Sequence, residues 1–90
     1  MRRTEAETLA LKVLAFLAGE DDAFSRFLTL SGIRPEELRE RASDPFVLAA
    51  VLDFLLGDDG LLASFAEGEG IAPTVVHHAR RALPGATPEA

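Results

Sequence analysis

Two acidic segments, Glu20-Asp21-Asp22 and Asp58-Asp59-Gly60, and the adjacent pair His77-His78 are where this sequence concentrates groups able to bind a metal or move a proton. Hard cations prefer carboxylate oxygens, so the acidic segments invite a calcium reading. A helix-loop-helix calcium site needs ligands at alternating positions, a glycine at the sixth and a glutamate at the twelfth, and neither segment supplies that series. Both lie where a helix must begin, and a carboxylate there accepts hydrogen bonds from free backbone N–H groups, so capping is the reading adopted. Histidine is the commonest metal ligand and a frequent proton carrier among side chains. Neighbours on a helix point about 100° apart, so the two rings cannot grip one metal as residues four apart do, and they are read as surface groups. Ser25, Ser31, Ser43 and Ser64 fall in helices or at helix ends, without the strand-to-turn elbow that exposes a nucleophilic serine. The absence of cysteine removes thiolate nucleophiles, disulfides and zinc-thiolate sites together. No catalytic, metal or cofactor residue is assigned, and the chain is expected to be noncatalytic.

What would position any functional group is a helical framework that occurs twice, offset by 38 positions. Val13-Leu14-Ala15-Phe16-Leu17-Ala18-Gly19 returns as Val51-Leu52-Asp53-Phe54-Leu55-Leu56-Gly57, and Asp21, Phe27, Gly32, Ile33 and Pro35 return as Asp59, Phe65, Gly70, Ile71 and Pro73. The matched residues are apolar anchors and backbone punctuation, which build helices and end them. The first helix is expected from Thr4 to Ala18, with Thr4 as N-cap and Glu7 reaching back to it, and Leu9, Val13, Leu14, Phe16 and Leu17 turned inward. Asp21 or Asp22 then caps a second helix that places Phe24, Phe27 and Leu28 on one face and stops at Gly32. Gly32 suits the left-handed turn after a helix, Ile33 folds back, and Pro35 opens a third helix to about Ala42. In the second half, Asp44 and Pro45 open a helix to Leu56, Asp59 caps one to about Glu67, and Pro73 opens one to about Leu83, stopped by Pro84 and Gly85. No segment alternates with period two, so the fold class is all-α: six short helices in two tandem three-helix units, 4–42 and 44–83, forming one compact bundle. Residues 1–83 make a single domain, and 84–90 are expected to be a disordered tail. Two copies fall short of the three or so that an independent solenoid needs, so a closed globule is expected.

Asp53 is the one charge in the apolar run from Pro45 to Leu56. It matches Ala15, on the stripe that carries Thr8 and Lys12 in the first half, which puts it on the outer face. Phe46, Val47, Ala49 and Ala50 have no polar counterparts there, so the fourth helix is either central or covered by another chain. Phe46, Val47, Ala49, Ala50 and Asp53 are therefore the candidate protein-contact strip. A rival surface is the helix from Pro73 to Leu83. The segments 28–41 and 66–79 each contain a helix, a Gly-Ile turn and an apolar residue six positions on, a pattern that resembles helix-turn-helix proteins. The first would-be reading helix carries Glu36, Glu37 and Glu40 and would repel phosphate, whereas His77, His78, Arg80 and Arg81 make a small basic patch on the second. The same cations also complement the negative end of their own helix.

Ninety residues bury only about 60 to 65% of the surface of the unfolded chain, so a fraction of 48% apolar residues with six Phe and no Trp or Tyr has to supply an aliphatic and phenylalanine core. The formal net charge of −6 opposes nonspecific attraction to nucleic acid or to an anionic membrane. Arg2 and Arg3 precede an apolar stretch, but Glu5, Glu7 and Lys12 interrupt it and no span long enough for a membrane follows. These features describe a cytoplasmic protein that meets a protein partner or its own copy, with DNA binding through Pro73 to Leu83 as the alternative.

The succession Ala15-Phe16-Leu17-Ala18-Gly19, Arg26-Phe27-Leu28, Gly32-Ile33-Arg34-Pro35, Leu38-Arg39, Val51-Leu52-Asp53-Phe54-Leu55 and Ala82-Leu83-Pro84 resembles a family of short alphaproteobacterial proteins defined only as a domain of unknown function, family 3572. The resemblance covers nearly the whole chain and rests on apolar and structural positions. It implies a small bacterial cytosolic protein and carries over no catalytic residue.

Overall fold

In the computed structural model, which describes residues 1–85, the chain forms α1 (Arg3–Ala18), α2 (Asp21–Ser31), α3 (Pro35–Glu40), α4 (Pro45–Leu56), α5 (Asp59–Glu69) and α6 (Pro73–Arg81), with no strand among the described residues. The last five positions of the expected tail, 86–90, lie outside the described residues. α1 and α4 pack against each other most extensively, and α6 lies against both. One cluster of buried side chains draws on all six helices, including Val13 and Leu17 of α1, Phe27 of α2, Leu38 of α3, Leu52 and Leu55 of α4, Phe65 of α5 and Val76 of α6.

The turns follow from residues with a local reason to make them. Gly32 and Gly70 sit at φ +72° and +69°, a region where a Cβ meets its own backbone, and each ends a helix. The two turns close differently. Ile71 donates its N–H to Ala66 O, five residues back in α5, at 3.0 Å, whereas the N–H of Ile33 is taken by Ser31 Oγ at 3.2 Å. Both isoleucines then pack on the core, and Pro35 and Pro73 open the next helices where no N–H is needed. Asp44 caps α4 as expected, its Oδ1 accepting the Phe46 N–H at 2.9 Å.

Three starts differ from the sequence expectation by a residue or two. α1 begins at Arg3 because Glu5, not Glu7, reaches back: its Oε1 accepts the Arg2 N–H at 3.2 Å, which leaves Thr4 inside the helix as acceptor for the Thr8 hydroxyl. Glu20 is the residue flanking α2, which leaves Asp21 and Asp22 in the first turn, where the helix dipole favours negative charge. Asp58, not Asp59, caps α5, its Oδ1 accepting the Leu61 N–H at 3.1 Å. α1 is less enclosed than its expected inward set implies, with Leu9, Leu14 and Phe16 only partly buried. α1 buries one stripe, Ala6, Ala10, Val13 and Leu17, and leaves Leu11 exposed, whereas α4 buries Val47, Leu48, Ala49, Val51, Leu52 and Leu55.

Two edge-to-face aromatic pairs join the halves crosswise. Phe16 meets Phe65 with ring centroids 5.5 Å apart, and Phe27 meets Phe54 at 5.6 Å. Phe27 and Phe65 are both deeply buried, while Phe16 and Phe54 are both half-exposed. The third helices break the correspondence: α6 has nine residues and buries Val76 and Ala79, while α3 has six and buries Leu38 alone.

Candidate functional site

The candidate strip on α4 does not survive as a strip. Val47 and Ala49, 2% and 4% exposed, belong to the core, because α4 runs between α1, α5, α6 and α2 and is covered on most of its circumference. Phe46 stays 65% exposed, Ala50 is half-buried and Asp53 faces solvent, as its match to Ala15 requires. An apolar surface does lie between α4 and α2, and its main member was not singled out from the sequence. Leu30 is 76% exposed, the most of any large apolar side chain described. It follows the buried Ala23 and Phe27 by seven and three residues, so it continues their inward stripe past the point where the rest of the chain covers it. That spacing was the available signal.

α2 and α4 run antiparallel here, since Phe27 packs on Phe54 while Leu30 and Ser31 share a pocket with Ala50. The pocket has a volume of about 270 Å³ and is lined by Phe27, Leu30, Ser31, Ala50, Asp53 and Phe54. Phe46, one turn before Ala50 on the same side of α4, extends the surface. A second groove lies between α1 and α5, about 480 Å³ in volume, with Lys12, Ala15, Phe16, Phe65, Gly68 and Glu69 in its lining. Each of these six residues is 38 positions from a residue of the first pocket. The phenylalanines are common to both. Leu30 stands where the other groove has Gly68, Ala50 where it has Lys12, Ser31 where it has Glu69 and Asp53 where it has Ala15; Phe46 matches Thr8.

Charges around the α2–α4 surface are compensated from outside it. Arg80 of α6 donates through Nε to Asp53 Oδ1 at 2.6 Å and through Nη1 to Pro84 O at 3.1 Å. Arg26 lies 5.6 Å from the Phe54 ring centroid and donates through Nη2 to Asp58 Oδ2 at 3.2 Å. The Leu61 N–H and then Arg26 hold the Asp58 carboxyl below the usual carboxylate range. Asp44 is lowered in the same direction, by Arg41 first and then by the Phe46 N–H. The α1–α5 groove instead carries its own ion pair, Lys12 Nζ to Glu69 Oε1 at 3.4 Å.

The basic patch is divided by the same contacts. His77, His78 and Arg81 are exposed, but the Arg80 side chain is only 16% exposed and is committed to Asp53 and Pro84. Among the described residues no three His, Asp or Glu side chains are placed to hold a metal ion, and no helix is long and apolar enough to cross a membrane.

The family model described as Protein of unknown function (DUF3572) matches residues 3–86, and the chain belongs to that family. No curated protein and no solved structure matches it.

Proposed function

We propose that this family member is a small noncatalytic interaction module of the bacterial cytoplasm, built from two tandem three-helix units, which meets a protein partner through the surface shared by α2 and α4. The observation that carries the reading is Leu30, 76% exposed on the rim of the α2–α4 pocket where the α1–α5 groove has Gly68, with Phe46, 65% exposed, one turn before Ala50 on the same side of α4. Exposed apolar side chains grouped on one side of the molecule are what an association surface presents. The charge of −6 favours a partner that is neither nucleic acid nor an anionic membrane.

A photocrosslinking amino acid tests this in the cell of origin. It is placed at Thr29, on the exposed rim beside Leu30, and in a second chain at the matched exposed position Glu67. Adducts that form from position 29 and not from position 67 support the reading. Equal labelling from both positions, or none from position 29, overturns it.

A further inference from the structure

We infer that the occupant of the α2–α4 surface is a second copy of this chain, held as a reversible two-fold dimer. The inference rests on the interaction reading above and names its partner. A two-fold interface uses the same patch on both copies, so that patch must contain both a projection and a recess to receive it. This one does. Leu30 stands out from the end of α2, and beside it lies the pocket of about 270 Å³ whose far wall is Ala50, Asp53 and Phe54. A leucine side chain of one copy fits a recess of that size in the other, and Phe46 supplies a second anchor one turn along α4.

Charge decides between a copy and a partner of opposite sign. A chain of net charge −6 repels itself over most of its surface. On the α2–α4 surface, however, Asp53 is neutralised by Arg80 at 2.6 Å and Arg26 by Asp58 at 3.2 Å. The matched α1–α5 groove keeps Lys12 and Glu69 where this one has Ala50 and Ser31. A basic partner would seek the uncompensated acids elsewhere, such as Asp21 and Asp22, whereas an acidic copy approaches at least cost across a surface without free charge. The surface is small. α2 and α4 have 11 and 12 residues, so each is about 17 Å long, and two such helices side by side stay below the roughly 800 Å² per partner of a standard interface. An interface of that size belongs with weak, reversible associations.

Sedimentation velocity on the purified chain between about 1 μM and 1 mM tests the inference. The expected result is a mass that rises with concentration from 9.6 kDa toward twice that value. The association should tighten as salt screens the residual repulsion between acidic copies, the reverse of a complex between opposite charges. Leu30→Glu removes the anchor from both copies at once; at about tenfold per anchor the affinity falls at least about a hundredfold. Phe46→Glu, at an exposed position in the first turn of α4 where a carboxylate suits the helix, acts in the same direction. Gly68→Glu, the matched change in the other groove, leaves the dimer intact, and circular dichroism confirms that each variant is folded. A monomer at every concentration overturns the dimer, as does an unchanged affinity in Leu30→Glu and Phe46→Glu. A monomer that still crosslinks from position 29 to a different protein in the cell removes the second copy and keeps the interaction reading. A monomer that crosslinks to nothing from that position removes both.

Discussion

Replacing Gly68 and Gly70 by alanine, one at a time, should move stability in opposite directions, although the two residues are neighbours but one on the same helix end. Gly68 has helical backbone within α5, and a Cβ built there meets nothing within 4 Å. Alanine costs no space at that site and removes the excess freedom of glycine from the unfolded chain, a gain of about 0.5–1 kcal/mol. Gly70 has equally open surroundings but φ +69°. There the added Cβ crowds its own carbonyl, which costs about 1–2 kcal/mol and outweighs the same entropic gain. For a chain of 90 residues, 1 kcal/mol corresponds to about 4–8 °C in Tm. Gly68→Ala should therefore raise Tm by about 2–8 °C, and Gly70→Ala should lower it by a few degrees. Gly32→Ala, at φ +72° with nothing within 4 Å, repeats the second result in the other half. Thermal and urea unfolding followed by circular dichroism measure all three, with the urea slope checked for constancy. Two shifts of the same sign would refute the reasoning, because available space is the same at both sites and backbone conformation alone distinguishes them.

Phe27→Ala and Phe65→Ala should each cost about 3–5 kcal/mol, a large part of the roughly 4–13 kcal/mol open to a domain of this size, so both variants should be largely unfolded in mild urea; a loss confined to one would break the correspondence of the halves. The carboxyls of Asp44 and Asp58, and of Glu5 and Glu37, are held below their ordinary values in the folded chain. Their contribution is complete above the unfolded carboxylate range near about 4 and is lost as pH falls through the lower folded values. Tm should therefore drop below about pH 4, less steeply in an Asp44→Asn, Asp58→Asn chain, and a rise in Tm on acidification would contradict this. Gel shifts with duplex DNA should show no binding even at about 50 mM salt, since phosphate contacts are strongest there, and a salt-sensitive shift would restore the α6 reading.

The parts of this fold legible from residue order are those fixed within one or two turns of chain. Gly32, Gly70, Pro35, Pro73 and the Asp44-Pro45 start each have a conformational reason that no distant contact can cancel. The caps of α2 and α5 were harder to place, because consecutive carboxylates compete and Asp58 is favoured partly by Arg26, 32 residues away. The cover over α4 comes mainly from α1 and then from α6, both distant in sequence, so no local pattern on α4 announces it. Val47 and Ala49, which the sequence left as either central or part of a contact strip, are core. The ion pairs Lys12–Glu69, Arg26–Asp58 and Arg80–Asp53 span long stretches of chain, so no local pattern announces them.

The distribution of differences between the halves bears on where recognition resides. Phe16, Phe27, Phe54 and Phe65 keep equivalent roles in two grooves, so selection for packing accounts for them without any partner. The residues on the rims answer to no such demand: glycine, lysine and glutamate stand at those positions in the α1–α5 groove, and threonine at the match of Phe46 on α1. Leucine, phenylalanine, alanine and serine at the matched positions make the α2–α4 side the more apolar of the two, which is the feature the proposed interaction uses. Arg80 points the same way. It reaches from α6 to neutralise the one acid on that surface, and a carboxylate facing only water would not need a largely buried arginine beside it. A partner that read the shared framework would engage both grooves alike. One that reads the rims engages the α2–α4 side alone, and matched substitutions at positions 30 and 68 separate the two cases.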